Sequence, residues 1–190
     1  MGQVVLDMAM SLDGFIAGPG GEDAGLHDWF FPPEDGRNDA DAGVVEESIR
    51  TTGAILMGRR AYDLGEEVGG FAGTPYRVPH FVLSHGHPEE ILEDAPPFTF
   101  VSEGIEGAVA QARAAAGDRN VVVGGGADVA RQAIAAGLVE EISIHLVPVI
   151  LGGGPRLFGE SGAGGIKLKR TATVESPFAT HLTFRVLGED

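Results

Sequence analysis

Cysteine is absent from the 190-residue sequence, which excludes disulfide stapling, thiol nucleophiles and thiolate metal sites. Any redox chemistry has to come from a cofactor. Cations are scarce as well, with 13 Lys and Arg against 28 Asp and Glu and a formal net charge of −15. A polyanion-binding surface in such a chain needs a strong local basic patch. The densest basic run, Lys167-Leu168-Lys169-Arg170, is interleaved with apolar residues like an ordinary strand, so nucleic acid is not an expected partner. A nucleotide cofactor needs only one or two local cations and stays open. No apolar run approaches the roughly 18 residues of a membrane span. The start, Met1-Gly2-Gln3-Val4-Val5-Leu6, lacks the basic segment, apolar run and cleavage site of a secretory signal. The expectation is a cytoplasmic protein without a membrane partner.

What is present is enough apolar residue, 43%, for one well-buried core, and the length suits a single domain over residues 1–190. Residues 4–10 form a short apolar strand that ends at Ser11-Leu12-Asp13-Gly14. It feeds a loop over residues 18–41 in which Trp29, Phe30 and Phe31 stand among turn formers, an arrangement that suits a packed, functional loop. Asp39 or Asp41 caps a helix to about residue 52, with Val44, Val45 and Ile49 on one side. A buried strand at 54–57 then turns at Gly58-Arg59-Arg60 into a short helix, and strands follow at 79–84 and 98–101. Residues 103–116 are helical, 120–123 a central strand delivered into Gly124-Gly125-Gly126, and 128–136 the next helix. This alternation signals an α/β sheet with helices on both faces. The last third changes to strands over 141–150, 167–175 and 180–186, with polar and apolar residues alternating in the latter two, as in antiparallel strands closing a sheet edge.

Three strand ends carry groups compatible with phosphate. Glycines after Val121-Val122-Val123 let a ligand approach the backbone, and the free N–H groups of the following helix favour an anion; the alternative is that the glycines merely permit close packing. Gly-x-Gly is completed by Val129 where a third glycine would stand, so the dinucleotide fingerprint of the doubly wound fold is not met. Arg59 and Arg60 could grip a 2'-phosphate or pyrophosphate, or pair with Asp63, Glu66 or Glu67. Ser84 and His85 hold the equivalent place after the next strand. Ligands bind along the C-terminal edges of such sheets, and the three sites together make a better case than each alone. Asp13 either orders a turn before Gly14 or meets a substrate. His145, inside a strand, suits packing or hydrogen bonding. His85-Gly86-His87 near Glu89 and Glu90 lacks a second arm, so no metal is expected.

Together these segments resemble the dihydrofolate reductase superfamily, and more closely the branch of the C-terminal reductase domain of bacterial riboflavin biosynthesis enzymes. The resemblance covers about residues 4–186. It rests on Met8-Ala9-Met10-Ser11-Leu12-Asp13-Gly14-Phe15-Ile16-Ala17, Leu56-Met57-Gly58-Arg59-Arg60-Ala61-Tyr62, Val121 to Gly126 and Val147-Pro148-Val149-Ile150-Leu151-Gly152-Gly153-Gly154-Pro155-Arg156-Leu157-Phe158. It implies a three-layer α/β fold, with a central mixed, mostly parallel sheet, helices on both faces and antiparallel C-terminal strands. It further implies that Ala9 and Ile16 flank a nicotinamide. Gly58, Arg59, Arg60, Ser84 and His85 would hold the adenine ribose and 2'-phosphate, and Gly124, Gly125, Gly126, Ala127 and Asp128 would form the pyrophosphate turn. The superfamily's acidic residue on the first helix falls at Ala42, beside Asp41, and Ala61 replaces a threonine.

The expectation is an NADPH-dependent reductase delivering hydride to a small C=N or C=O compound, heterocycles included, bound under the 18–41 loop. Asp41, Asp13 or an ordered water would supply the proton, with Trp29, Phe30 and Phe31 as an apolar lid or simply a loop anchor. The alternative is a non-catalytic nucleotide-binding or ligand-sensing protein on the same fold. The branch implies a homodimer, with residues 147–150 and 180–186 as a candidate face.

Overall fold

The computed structural model describes residues 2–67, 70–86, 96–159 and 165–188. Its strands are β1 (Val4–Ser11), β2 (Thr52–Gly58), β3 (His80–Leu83), β4 (Phe98–Val101), β5 (Asn120–Gly125), β6 (Glu141–Val147), β7 (Leu168–Glu175) and β8 (Thr180–Val186). The helices are α1 (Asp39–Thr51), α2 (Arg59–Glu67), α3 (Gly104–Ala116) and α4 (Ala127–Ala135). One eight-stranded sheet runs in the order β4-β3-β2-β5-β1-β6-β8-β7. Every pairing from β4 across to β6 is parallel; β8 is antiparallel to β6 and β7 antiparallel to β8. This is the mixed α/β sheet that the sequence implies. No helix among the described residues is long and apolar enough to cross a membrane.

The central strands are apolar on both faces because helices cover both. From β1, Val4, Leu6 and Met8 enter the main core with Ala54 and Leu56 of β2, Val121 and Val123 of β5, and Ile142 and Ile144 of β6. Ala108, Ala112 and Ala116 of α3 and Ala130 and Ala133 of α4 close that core, small side chains that let the helices lie near the sheet. The opposite face of β2 and β5 buries Ile55, Met57 and Val122 against Tyr62 of α2. The period-2 alternation of a strand turns Val5, Asp7 and Ala9 to that same second face.

Several expectations need correction. The side chain of Asn38, outside the helix, caps α1 by accepting from the Asp41 N–H, so neither Asp39 nor Asp41 is the cap. Asp41 is the buried residue of α1, while Val44, Val45 and Ile49 are only half-buried. β5 runs through Gly124 and Gly125 before the chain turns, and α4 begins at Ala127. β6 stops at Val147, three residues early, because Pro148 has no N–H to donate. β7 is exposed at all eight positions, so its alternation does not mark a buried face. β8 is hydrogen-bonded on both sides, and the free edge belongs to β7. Of the three loop aromatics only Trp29 is buried; Phe31 is 68% exposed.

Gly125 is a packing residue, since a Cβ there would lie 2.9 Å from Met57 Cβ and 3.0 Å from Ala61 Cβ. At Gly124 the nearest atom would be 3.5 Å away, an ordinary contact. Gly125→Ala is therefore expected to cost about 1–3 kcal/mol through overpacking, and Gly124→Ala to stay within about 0.5 kcal/mol of wild type. Urea denaturation midpoints of the two variants check the difference.

Candidate active site

The C-terminal ends of β1 to β5 open into one cleft of about 1170 Å³, larger than the roughly 300–1,000 Å³ of most small-molecule pockets. Ala9 and Ile16 line it at the end of β1 and the loop that follows. Gly58, Arg59 and Arg60 line it where β2 passes into α2, and Ser84 and His85 where β3 ends. Gly124, Gly125, Gly126, Ala127 and Asp128 line it where β5 passes into α4. The cleft thus gathers every residue expected at a nucleotide, although they span more than a hundred positions of sequence.

The two arginines differ. Arg59 donates from Nε to Asp63 Oδ1 at 2.7 Å and from Nη1 to the Gly86 carbonyl at 3.3 Å. Arg60 is exposed and makes no ion pair or hydrogen bond among the described residues, so its guanidinium is the free cation of this wall. Ser84 Oγ donates to the Gly86 carbonyl at 2.7 Å, which folds the β3 end beneath Arg59. Gly126 precedes α4 with φ +86°, a left-handed backbone that glycine adopts without strain. The first turn of α4 faces the cleft at Ala127 and Asp128. The Asp128 carboxylate accepts from Gln132 Nε2 at 2.7 Å and lies 3.9 Å from Arg131. Arg131 also lines the cleft and was not legible as a site residue; its signal is its place one turn after Ala127 on the same helix face. The two carboxylates of the 18–41 loop that line the cleft are paired within the loop. Glu22 accepts from the Gly20 N–H at 2.8 Å, and Asp23 bonds His27.

Asp13 lies outside the cleft lining and joins two loops. Its carboxylate accepts from Ser11 Oγ at 2.7 Å, Leu151 N at 3.1 Å and Gly152 N at 2.7 Å. The Ser11 hydroxyl first, and then these N–H groups, hold its pKa down at about 2. Around it Ile16 N donates to the Pro155 carbonyl, Arg156 reaches the Asp13 carbonyl, and its guanidinium sits 4.4 Å from the centre of the Phe15 ring. A Cβ at Gly154 would be 2.1 Å from the Ala17 carbonyl oxygen, so the glycines of 152–154 serve this junction, which in turn sets Ile16 at the cleft mouth.

Asp41 is 2% exposed and also outside the cleft lining. Burial pushes its carboxyl up, but hydrogen bonds from Asn38, Ser176 and His181 outweigh that and leave it below its ordinary value. His181 Nε2 contacts Asp41 Oδ1 at 2.7 Å, and His181 in turn meets His145. Trp29 lies over His145 with ring centres 4.0 Å apart, and packs with Ala9, Leu26 and Val147. His145 is thus a buried, hydrogen-bonded residue, and His181 is a partner that the sequence did not single out. His87, Glu89 and Glu90 lie outside the described residues, and no group of metal-ligating side chains occurs among those described.

Folding lowers the Asp13 pKa, so the stability it contributes is present above the ordinary value of 3.8 and is lost as pH falls towards about 2. Asp13→Asn is expected to be less stable than wild type at neutral pH, with the gap closing below about pH 4. Denaturation curves collected from neutral pH down to about pH 2 measure the closure.

A family model described as the RibD C-terminal domain matches residues 3–179. The uncharacterized protein YwjB of Bacillus subtilis (strain 168) is 27% identical over 158 residues, covering 83% of each chain. Among solved structures, a protein of Shewanella sp. PV-4 named for riboflavin biosynthesis superposes with TM-score 0.75 at 23% identity, covering 99% of this chain and 100% of that one. Dihydrofolate reductase from Enterococcus faecalis, complexed with NADP(H), superposes with TM-score 0.61 at 16% identity, covering 97% and 96%.

Proposed function

The chain belongs to the RibD C-terminal domain family, and from that premise we propose that it is an NADPH-dependent reductase acting on a small C=N or C=O compound, heterocycles included. One observation carries the reading: the twelve residues expected at the nucleotide line a single cleft with Arg131 beside them. In a chain of net charge −15, three arginines lining one cleft are a concentration of the scarce cation. The fit to a dinucleotide is chemical as well as spatial. Arg60 offers a guanidinium unpaired among the described residues for a 2'-phosphate. The exposed Gly124 and the first turn of α4 offer close backbone approach and N–H groups for a pyrophosphate. Ala9 and Ile16 offer small and apolar walls for a flat ring.

When bound, the nicotinamide supplies the hydride, and the chain positions both partners. The acceptor would lie beside Ala9, which lines the cleft and has Trp29 packed against it. Asp13 is held ionised by its three donors and orders the cleft mouth; Asp41, also held below its ordinary value, is hydrogen-bonded to His181 and through it to His145, so it would handle a proton only as part of that chain. The non-catalytic reading has one observation in its favour, that neither Asp13 nor Asp41 lines the cleft. It predicts nucleotide binding without turnover. For the homodimer we propose the free β7 edge, where Leu168 and Val174 are exposed, in place of the face expected at residues 147–150 and 180–186, because β8 is paired on both sides.

Trp29 is the sole tryptophan, so its fluorescence follows titration with NADPH and, separately, NADH. NADPH is expected to bind more tightly than NADH. Arg60→Ala should weaken NADPH about 10- to 100-fold, as loss of a charge-assisted bond worth about 1.5–3 kcal/mol implies, and leave NADH unchanged. Arg59→Ala should cost less, because that side chain is already committed to Asp63. Absence of binding by either nucleotide would overturn the reductase reading.

A further inference from the structure

Four side chains from four elements form an unbroken hydrogen-bonded chain on the α1 face of the sheet. Asp7 Oδ1 of β1 is 2.8 Å from His145 Nε2 of β6. His145 Nδ1 is 2.7 Å from His181 Nδ1 of β8, and His181 Nε2 is 2.7 Å from Asp41 Oδ1 of α1. The imidazoles are 2% and 4% exposed, the Asp41 side chain 3%, and Asp7 22%. Asp7, His145 and His181 also line a second cavity, of about 390 Å³, between α1 and the sheet. Asp7 is thus the end of the chain from which water can be reached.

The geometry fixes the number of protons. Each of three contacts is a hydrogen bond and needs one proton, three in all. Two ionised carboxylates with two neutral imidazoles supply only two. If both Nε2 atoms donate outward to Asp7 and Asp41, the two Nδ1 atoms face each other as bare lone pairs; if both rings are fully protonated, two N–H groups collide. A neutral imidazole has one donor and one acceptor nitrogen, so two neutral rings can close the Nδ1 to Nδ1 contact only by leaving one carboxylate contact without a proton, and all three close together only when the chain carries a single extra proton. That proton can rest on either imidazole, or on Asp41 with His181 accepting, without altering the total.

We propose that Asp7, His145, His181 and Asp41 work as one proton-dependent clasp that holds the first turn of α1 and Trp29 against the β6–β8 part of the sheet. Trp29 stacks on His145 and meets His181 edge-on, with ring centres 5.0 Å apart. His145 is the β6 partner of Ala9 in the β1–β6 register, and Ala9 lines the large cleft. The clasp therefore positions the wall on which the acceptor would rest, a bearing on catalysis that depends on the reductase reading above. Burial first, and then the neighbouring His145, push His181 below its ordinary value, against the pull of Asp41. This disfavours any charge on the pair, the first extra proton included, so the clasp holds its one proton towards acidic pH and is released as rising pH removes it.

The charged and titratable groups around it are few. Glu141 of β6 faces the same cavity, raised by burial and by Asp7, with Arg185 opposite it on β8. Glu47 of α1 pairs with Arg50. Tyr76 is hydrogen-bonded to Ser48 and pushed up to about 12 by burial. β7 contributes only Ala172 and Val174 to the cavity wall.

The test is a pH titration of the intact protein, following histidine ring nitrogens by ¹⁵N NMR and Trp29 by fluorescence. His145 and His181 are expected to titrate together in one single-proton step that coincides with a rise in Trp29 emission, because an imidazolium stacked on indole quenches it. His181→Gln keeps a donor for Asp41 but has no Nδ1, so the step should vanish while the fold stays. Independent titration of the two rings, or bare Nδ1 atoms on both throughout, overturns the clasp, and the wild-type spectra decide this even if the variant does not fold. NADPH binding measured in the same samples separates the two claims. A shared step in a protein that binds no NADPH upholds the clasp and sinks the reductase reading; binding without the step sinks the clasp and leaves the reductase reading standing.

Discussion

Every feature of the site depends on the alternation of β1 between two unlike faces. Val4, Leu6 and Met8 commit one face to the apolar core beneath α3 and α4. The period of the strand then leaves Asp7 and Ala9 on the other. Because β1 lies between β5 and β6, Asp7 reaches the imidazole of β6 while Ala9 stands at the cleft and against Trp29. A one-residue slip would send Asp7 into the core and withdraw Ala9 from the cleft. The core residues that prevent the slip are thus also what aligns the site.

The second constraint is the economy of charge. An acidic chain repels the anionic cofactor it is proposed to bind unless its carboxylates are occupied locally. Glu22 is turned to Gly20, Asp23 to His27, Asp63 to Arg59 and Asp128 to Gln132 and Arg131. Arg60 alone of the cleft arginines is left without a protein partner among the described residues. Local pairing also explains Asp13, whose three donors make it an ionised tie between the loop after β1 and the loop after β6.

The sequence was most legible where backbone chemistry is local. Apolar runs marked every strand of the parallel sheet, and the turns after Met57 and Val123 marked the cleft, because a ligand at a sheet edge needs glycine and a helix start in contiguous sequence. Boundaries moved where a neighbour supplied the missing group. Asn38 took the cap expected of Asp39 or Asp41, and Pro148 ended β6. Alternation in β7 marked it as an antiparallel edge strand but not as exposed at every position, because alternation in sequence is the same whether or not anything packs on the apolar side.

The amino-acid sequence by itself determined the α/β architecture, the glycine and arginine turns that line the cleft and the exclusion of thiol chemistry, since each follows from residue type, local periodicity or contiguous motif, whereas Ala9 and Ile16 were placed at the cleft by family resemblance. Only the tertiary structure decided which of two equivalent-looking arginines is free, that Asp13 is a tie between loops, and that Asp41 belongs to a chain with Asp7, His145 and His181. Those facts depend on strand order and on distances between residues up to 140 positions apart. Hydrogen bonds and ion pairs act over about 3 Å in space, and nothing in the spacing of a linear chain encodes such distances until the sheet has brought its strands together.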